Sequence, residues 1–179
     1  MPKHLVVVLL ALLLGLQAVT TDLYLPALPA IRASLNASMG EIQLTLTALL
    51  LAFGISQLVW GPLSDRFGRR PILLWGMTAY TAASIACLFA PSMAWLIAGR
   101  VVQGVAMGAG VMAARAVVRD LYAPAQGANV MSQGLTGLGI IACLCAPLGG
   151  VLTDTLGWRI ALLMLAVFGA ATLALLFWR

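Results

Sequence analysis

Residues 61–74 read GPLSDRFGRRPILL, and they interrupt an otherwise apolar chain. Asp65, Arg66, Arg69 and Arg70 crowd into six positions, with Gly61-Pro62 before them and Pro71 after. Gly68 permits a tight turn, and Pro71 suits the start of a helix. Gly61-Pro62 reads as the end of the helix before it. The stretch predicts a short, charged connection between two long apolar helices.

Composition says what those helices are dissolved in. Of 179 residues, 63% are hydrophobic and 8% charged, and mean hydropathy is +1.06. Soluble domains carry about 25% charged residues. A water-soluble core cannot absorb this much apolar surface, so the solvent is lipid. The net charge of +5 comes with one lysine and no basic stripe interleaved with aromatics, which argues against a nucleic-acid partner. Cys87, Cys143 and Cys145 lie in apolar runs. The last two diverge by about 200° on a helix and cannot share a metal, so all three read as small packing residues. The single histidine is His4, and no nucleophile–base or metal-spacing motif appears. No catalytic residue, metal ligand or cofactor is therefore assigned, and the chain does not read as an enzyme.

About 20 apolar residues cross the hydrocarbon layer as a helix. Six windows qualify, at 5–31, 42–63, 71–90, 93–118, 128–153 and 158–178. They predict an all-α membrane protein with one six-helix domain over residues 1–179. The first window is too long for the apolar region of a signal peptide, about 7–15 residues. Six spans put both termini on one side. With that side cytoplasmic, inner segments hold Lys3, Arg66, Arg69, Arg70, Arg115, Arg119 and Arg179, and outer ones only Arg32 and Arg159. Arg100 lies inside a span. This bias predicts cytoplasmic termini in a bacterial-type inner membrane.

A repeat is hidden in the connections. The second span ends GPLSDRFGRR and the fifth ends APLGGVLTDTLGWR. Asp65, Gly68 and Arg70 match Asp154, Gly157 and Arg159 at a constant offset of 89 residues, about half the chain. One copy falls inside and the other outside, so two three-helix units are related by inversion. Internal inverted repeats are a signature of secondary transporters.

These residues resemble a known family. GPLSDRFGRRPILL is similar to the signature between the second and third helices of the major facilitator superfamily. GRVVQG (Gly99, Arg100, Gln103 and Gly104) resembles its fourth-helix motif, and APLGG (146–150) the fifth-helix motif of its proton-driven antiporters. TDLYLPALPAI (21–31) and RDLY (119–122) narrow the likeness to the Bcr/CflA-type drug efflux subfamily. The resemblance covers essentially the whole chain but only the N-terminal half of such a carrier. It implies a proton gradient as driving force, a small-molecule substrate, and a missing C-terminal six-helix half or a second copy as partner. Pro147 and Gly150 match the fifth-helix motif, whereas Ala142 and Ala146 stand where the family usually has glycine. The resemblance also implies that Asp65, Arg69 and Asp120 form a charge cluster that latches the two halves, with Gly61 and Gly68 shaping its frame.

Asp22 is the sharpest chemical feature. It lies about 14 Å before the outer end of the first span, where an ionised carboxylate costs about 2.5–3.5 kcal/mol on insertion scales. Two readings stand: a capping or interfacial residue where Pro26 and Pro29 break the helix, or a proton-titrating group facing a cavity. Arg100 is expected at similar depth as its companion, since burial favours a neutral acid and a guanidinium favours the anion. The other reading of Arg100 is a packing or snorkelling arginine. Gln103 lies about one turn on, and Gln17, Thr21 and Tyr24 form a polar stripe at i, i+4, i+7. That stripe faces a wet cavity or bonds neighbouring helices. Gln133 and Thr136 are weaker candidates. Gly104-x-x-x-Gly108 reads as helix packing, and Met107, Met112 and Phe53 as core with a drug-adaptable wall as the second reading. The function predicted is part of a proton-coupled exporter of small amphipathic compounds, incomplete alone. The alternatives are uptake of a small polar solute and a non-transporting remnant or assembly subunit.

Overall fold

The computed structural model describes residues 3–178, and among these every regular element is helical. Arg179 and the side chain of Lys3, both counted in the charge bias, lie outside the described residues. Helix α1 (Lys3–Asp22) gives way to a 3-10 turn at Leu25–Ala27 and then to α2 (Leu28–Leu35). Pro26 and Pro29 lack the N–H that an unbroken ladder needs, so the first span is bent rather than straight. It ends at Asn36, which adopts the left-handed conformation (φ 49°).

A reciprocal capping box opens α3 (Met39–Phe67): Glu41 N–H donates to Ser38 Oγ, and Ser38 N–H donates to Glu41 Oε2. Contrary to the sequence reading, Gly61-Pro62 does not end this helix. Pro62 is exposed, so its ring points away from the bundle and the helix continues to Phe67 at the loss of one ladder bond. The charged connection therefore shrinks to Gly68 alone, which ends α3 and caps α4 (Arg69–Leu88). The remaining helices are α5 (Met93–Leu121), α6 (Pro124–Leu156) and α7 (Trp158–Phe177). With α1 and α2 taken as one span, six are long and apolar enough to cross a membrane.

Helix α5 is the most buried and lies between α3 and α4, while α1 packs on α6 and α4 on α7. The first span thus meets the fifth as the fourth meets the second. The backbone carries the same relation: Gly68 (φ 90°, ψ 159°) and Gly157 (φ 86°, ψ 164°) each end one helix and start the next. The chain is an all-helical membrane bundle of two inverted three-helix units.

In lipid the helices gain little by hiding apolar surface from one another, so close backbone approach matters more. Gly104 and Gly108 supply it between α5 and α3. A methyl group at Gly104 would strike the Leu49 carbonyl, and one at Gly108 would strike Ser56 Oγ. Trp60 Nε1 ties the same pair by donating to the Val105 carbonyl at 2.7 Å.

Candidate functional site

Arg100 is completely buried at the junction of the first, third and fourth spans. Its guanidinium carbon lies 3.5 Å from the centroid of the Tyr24 ring. Nη1 donates to Gln103 Oε1 at 3.0 Å and to the Thr20 carbonyl at 3.4 Å. Gln103 Nε2 passes the chain on to Ser84 Oγ (2.8 Å), which donates to the Tyr80 carbonyl. The Tyr80 hydroxyl and Thr20 Oγ1 are 2.7 Å apart, returning the network to α1. Tyr24 is itself buried, and its hydroxyl donates to Thr45 Oγ1 on α3 at 3.2 Å. One aromatic residue at the break of the first span therefore joins α3 and α5.

This arrangement corrects the expected pairing. Among the described residues, no ion pair joins Arg100 to Asp22, and Arg100 Nε and Nη2 lack a hydrogen-bond partner. The cation is compensated by a ring face, a backbone carbonyl and an amide oxygen. Arg100, Gln103 and Tyr24 do not line an open cavity; they are interior. Asp22 is half-buried on a different side, where Thr21 Oγ1 donates to its Oδ1 at 2.8 Å and also to the Gln17 carbonyl. Gln17 is exposed. Of the five cavity residues read from the sequence, only Asp22 and Gln17 remain accessible. Gln133 and Thr136 are exposed on α6, and Met107 is core. Cys143 is exposed, so only Cys87 and Cys145 pack inside.

The charges of the opening stretch do converge. Arg69 Nη1 sits 2.7 Å from Asp65 Oδ1, and Arg69 Nε sits 2.9 Å from Asp120 Oδ2 at the end of α5. Ser64, buried, accepts from Arg69 Nη1 at 2.9 Å. Three helix ends are thereby tied at one point. The Asp65 side chain is 62% exposed and that of Asp120 44%, so each pair contributes only about 0–1 kcal/mol. At the repeat-equivalent position of Arg69 stands Trp158, which is buried, and Thr153, the equivalent of Ser64, has no partner for its hydroxyl among the described residues.

Several positioning residues escape a sequence reading. Tyr80, Ser84 and Thr20 look like ordinary members of apolar runs. In the fifth-helix motif, the close approach is made by Gly149 rather than Gly150: a methyl on Gly149 would strike the Leu23 carbonyl, whereas Gly150 has open space. Pro147 is exposed inside α6. Gly61 approaches only Met112. Two cavities, of about 420 and 260 Å³, share Arg115 and Arg119 on α5, one shelved against the start of α6 and the other against Gln57 and Met112.

The chain is thus a membrane bundle of inverted three-helix units, with a charge cluster at one end and a half-buried carboxylate at the break of its first span. The family model of the Major Facilitator Superfamily matches residues 10–179, and the chain belongs to that family. It is 38% identical over 164 residues to "Multidrug resistance protein D" of Escherichia coli (strain K12), covering 90% of this chain and 41% of that protein. It is 39% identical over 166 residues to the "Chloramphenicol resistance protein" of Pseudomonas aeruginosa, covering 91% and 40%. The solved proton:xylose symporter XylE, bound to 6-bromo-6-deoxy-D-glucose, superposes with a TM-score of 0.86 at 14% identity, covering 99% of this chain and 44% of that one. That last likeness is one of fold. The chain spans about two fifths of the length of the curated relatives it matches.

Proposed function

We propose that this chain forms one half of a proton-coupled carrier that exports small amphipathic compounds, with Asp22 as the titrating group. One observation carries the reading. Asp22 is an acidic side chain at the break of the first span, and Arg100, the cation at similar depth, is stacked on Tyr24 instead of neutralising it. Asp22 is half-buried, accepts from Thr21 Oγ1 at its Oδ1, and makes no ion pair among the described residues. Relatives named for multidrug and chloramphenicol resistance support export of drug-like compounds.

In this reading, Asp65, Arg69 and Asp120 act as a gate at the cytoplasmic end, and both termini are cytoplasmic. Substrate sits between two six-helix halves that rock against each other, so residues 1–179 supply one wall. The other wall is a second six-helix half or a second copy. The test is the purified chain in liposomes with an imposed pH gradient and labelled chloramphenicol, beside the complete two-half carrier. The chain alone is expected to give no sustained drug movement. The complete carrier is expected to transport, and to lose gradient-driven transport on Asp22→Asn. Sustained transport by monomeric 1–179 sinks the half-carrier reading, and unchanged transport by the Asn variant moves proton coupling elsewhere.

A further inference from the structure

A groove of about 180 Å³ opens between α1, α4, α5 and α7, beside the point where α3 turns into α4. Leu5, Leu9, Leu73 and Leu176 are among the residues that form its apolar walls, and Arg69 and Arg70 stand on its rim. Arg69 is committed to Asp65, Asp120 and Ser64. Arg70 is exposed and makes no ion pair or hydrogen bond among the described residues. Because the helices end here, the rim lies at the boundary between hydrocarbon and water, with the slot below it. An apolar slot capped by an uncommitted guanidinium matches the two ends of a phospholipid: acyl chain within, phosphate at the rim.

The charge at the rim selects the headgroup. Arg69 is held by both Asp65 and Asp120, so Arg70 is the rim's unmatched cation. A zwitterionic lipid would bring an ammonium into this positive surrounding, whereas an anionic lipid brings only negative charge. We propose that the groove is a binding site for an anionic phospholipid of the phosphatidylglycerol type, its phosphate held by Arg70 and its acyl chain lying along Leu73 and Leu176. The proposal concerns binding and does not depend on the direction or substrate of transport.

Native mass spectrometry of the purified chain in detergent, titrated with phosphatidylglycerol and with phosphatidylethanolamine of the same acyl chains, tests it. Phosphatidylglycerol is expected to bind roughly fivefold tighter, the attraction of one arginine for a net-anionic lipid over a zwitterionic one. Arg70→Gln is expected to abolish that preference. Arg66→Gln is expected to keep it, because Arg66 lies over the Phe67 ring and is not on the rim. Leu175→Trp, at the partly exposed lip of the slot, should weaken both lipids with helicity by circular dichroism unchanged. Millimolar inorganic phosphate should not displace the lipid. Equal loss in Arg66→Gln and Arg70→Gln would mean diffuse surface charge and overturn the site. Equal affinity for the two lipids, or displacement by phosphate alone, would overturn it as well.

Discussion

Arg100 and Tyr24 form a buried stack, guanidinium over ring at 3.5 Å, between the fourth span and the break in the first. Asp22, two residues before that tyrosine, takes no part in it. The burial of a cation here is sustained without a carboxylate, by a ring quadrupole and neutral oxygens. That separation makes the roles of Arg100 and Asp22 distinguishable by experiment.

Removing the ring should expose the arrangement directly. Tyr24→Leu strips the guanidinium of its ring and is expected to destabilise the chain by about 2 kcal/mol or more. Tyr24→Phe keeps the ring and loses only the bond to Thr45, an expected cost of about 0.5–1.5 kcal/mol. Thermal unfolding in detergent, followed by circular dichroism, measures both. Equal effects of the two variants would mean that the hydroxyl, and not the ring, matters.

Asp22 and Arg100 should separate function from folding. Asp22→Asn replaces a half-buried carboxylate whose only hydrogen-bond partner among the described residues is the Thr21 hydroxyl, so the melting temperature should hardly move. In the complete carrier the same change should abolish gradient-driven export. Arg100→Ala leaves Gln103 without its donor in a fully buried network and is expected to cost about 3 kcal/mol. A well-folded Arg100→Ala chain would contradict the structural role assigned to the network.

Gly104 and Gly108 of α5 should be intolerant in a way that a glycine facing open space is not. Gly104→Val or Gly108→Val drives a side chain into α3 and should cost several kcal/mol, beyond the ~1–3 kcal/mol of ordinary overpacking, because backbone lies in the way at Leu49. Gly139→Ala meets open space on α6 and should be neutral or stabilising by up to about 1 kcal/mol. Melting temperatures of the three variants decide the matter.

The two helix junctions offer a test of the internal repeat. Gly68→Ala and Gly157→Ala place a Cβ where φ is 90° and 86°. Each should cost about 1–3 kcal/mol of backbone strain, and the two costs should be similar. A large cost at one junction alone would show that the equivalence is confined to geometry.

Much of this architecture is written plainly in the sequence. Hydropathy identifies the spans because lipid demands long apolar windows, and the matched Asp, Gly and Arg positions at offset 89 disclose the inverted halves. The convergence on Arg69 is anticipated by the family resemblance of Asp65, Arg69 and Asp120, with Asp120 at the end of a long apolar run. The facing of Arg100 is not legible. Helical periodicity correctly places Gln103 on its side, but the same rule fails across the bend at residues 23–27, where the chain re-aims Tyr24 inward and leaves Asp22 outward. Pro62 misleads for a related reason: a proline on the outer side of a membrane helix is carried through instead of ending it.

Where the α3–α4 junction has Arg69, the α6–α7 junction has Trp158, and where Ser64 accepts a hydrogen bond from that arginine, the Thr153 hydroxyl has no partner among the described residues. The two ends of this half are therefore closed by different forces. Added salt weakens the Arg69 cluster, whose members are charged and partly solvated, and acts less on the burial of the Trp158 ring, which also carries the Arg159 guanidinium over its face. Cooling acts the other way, loosening apolar contacts more than ion pairs. Ionic strength and temperature therefore become independent handles on the two junctions of this bundle.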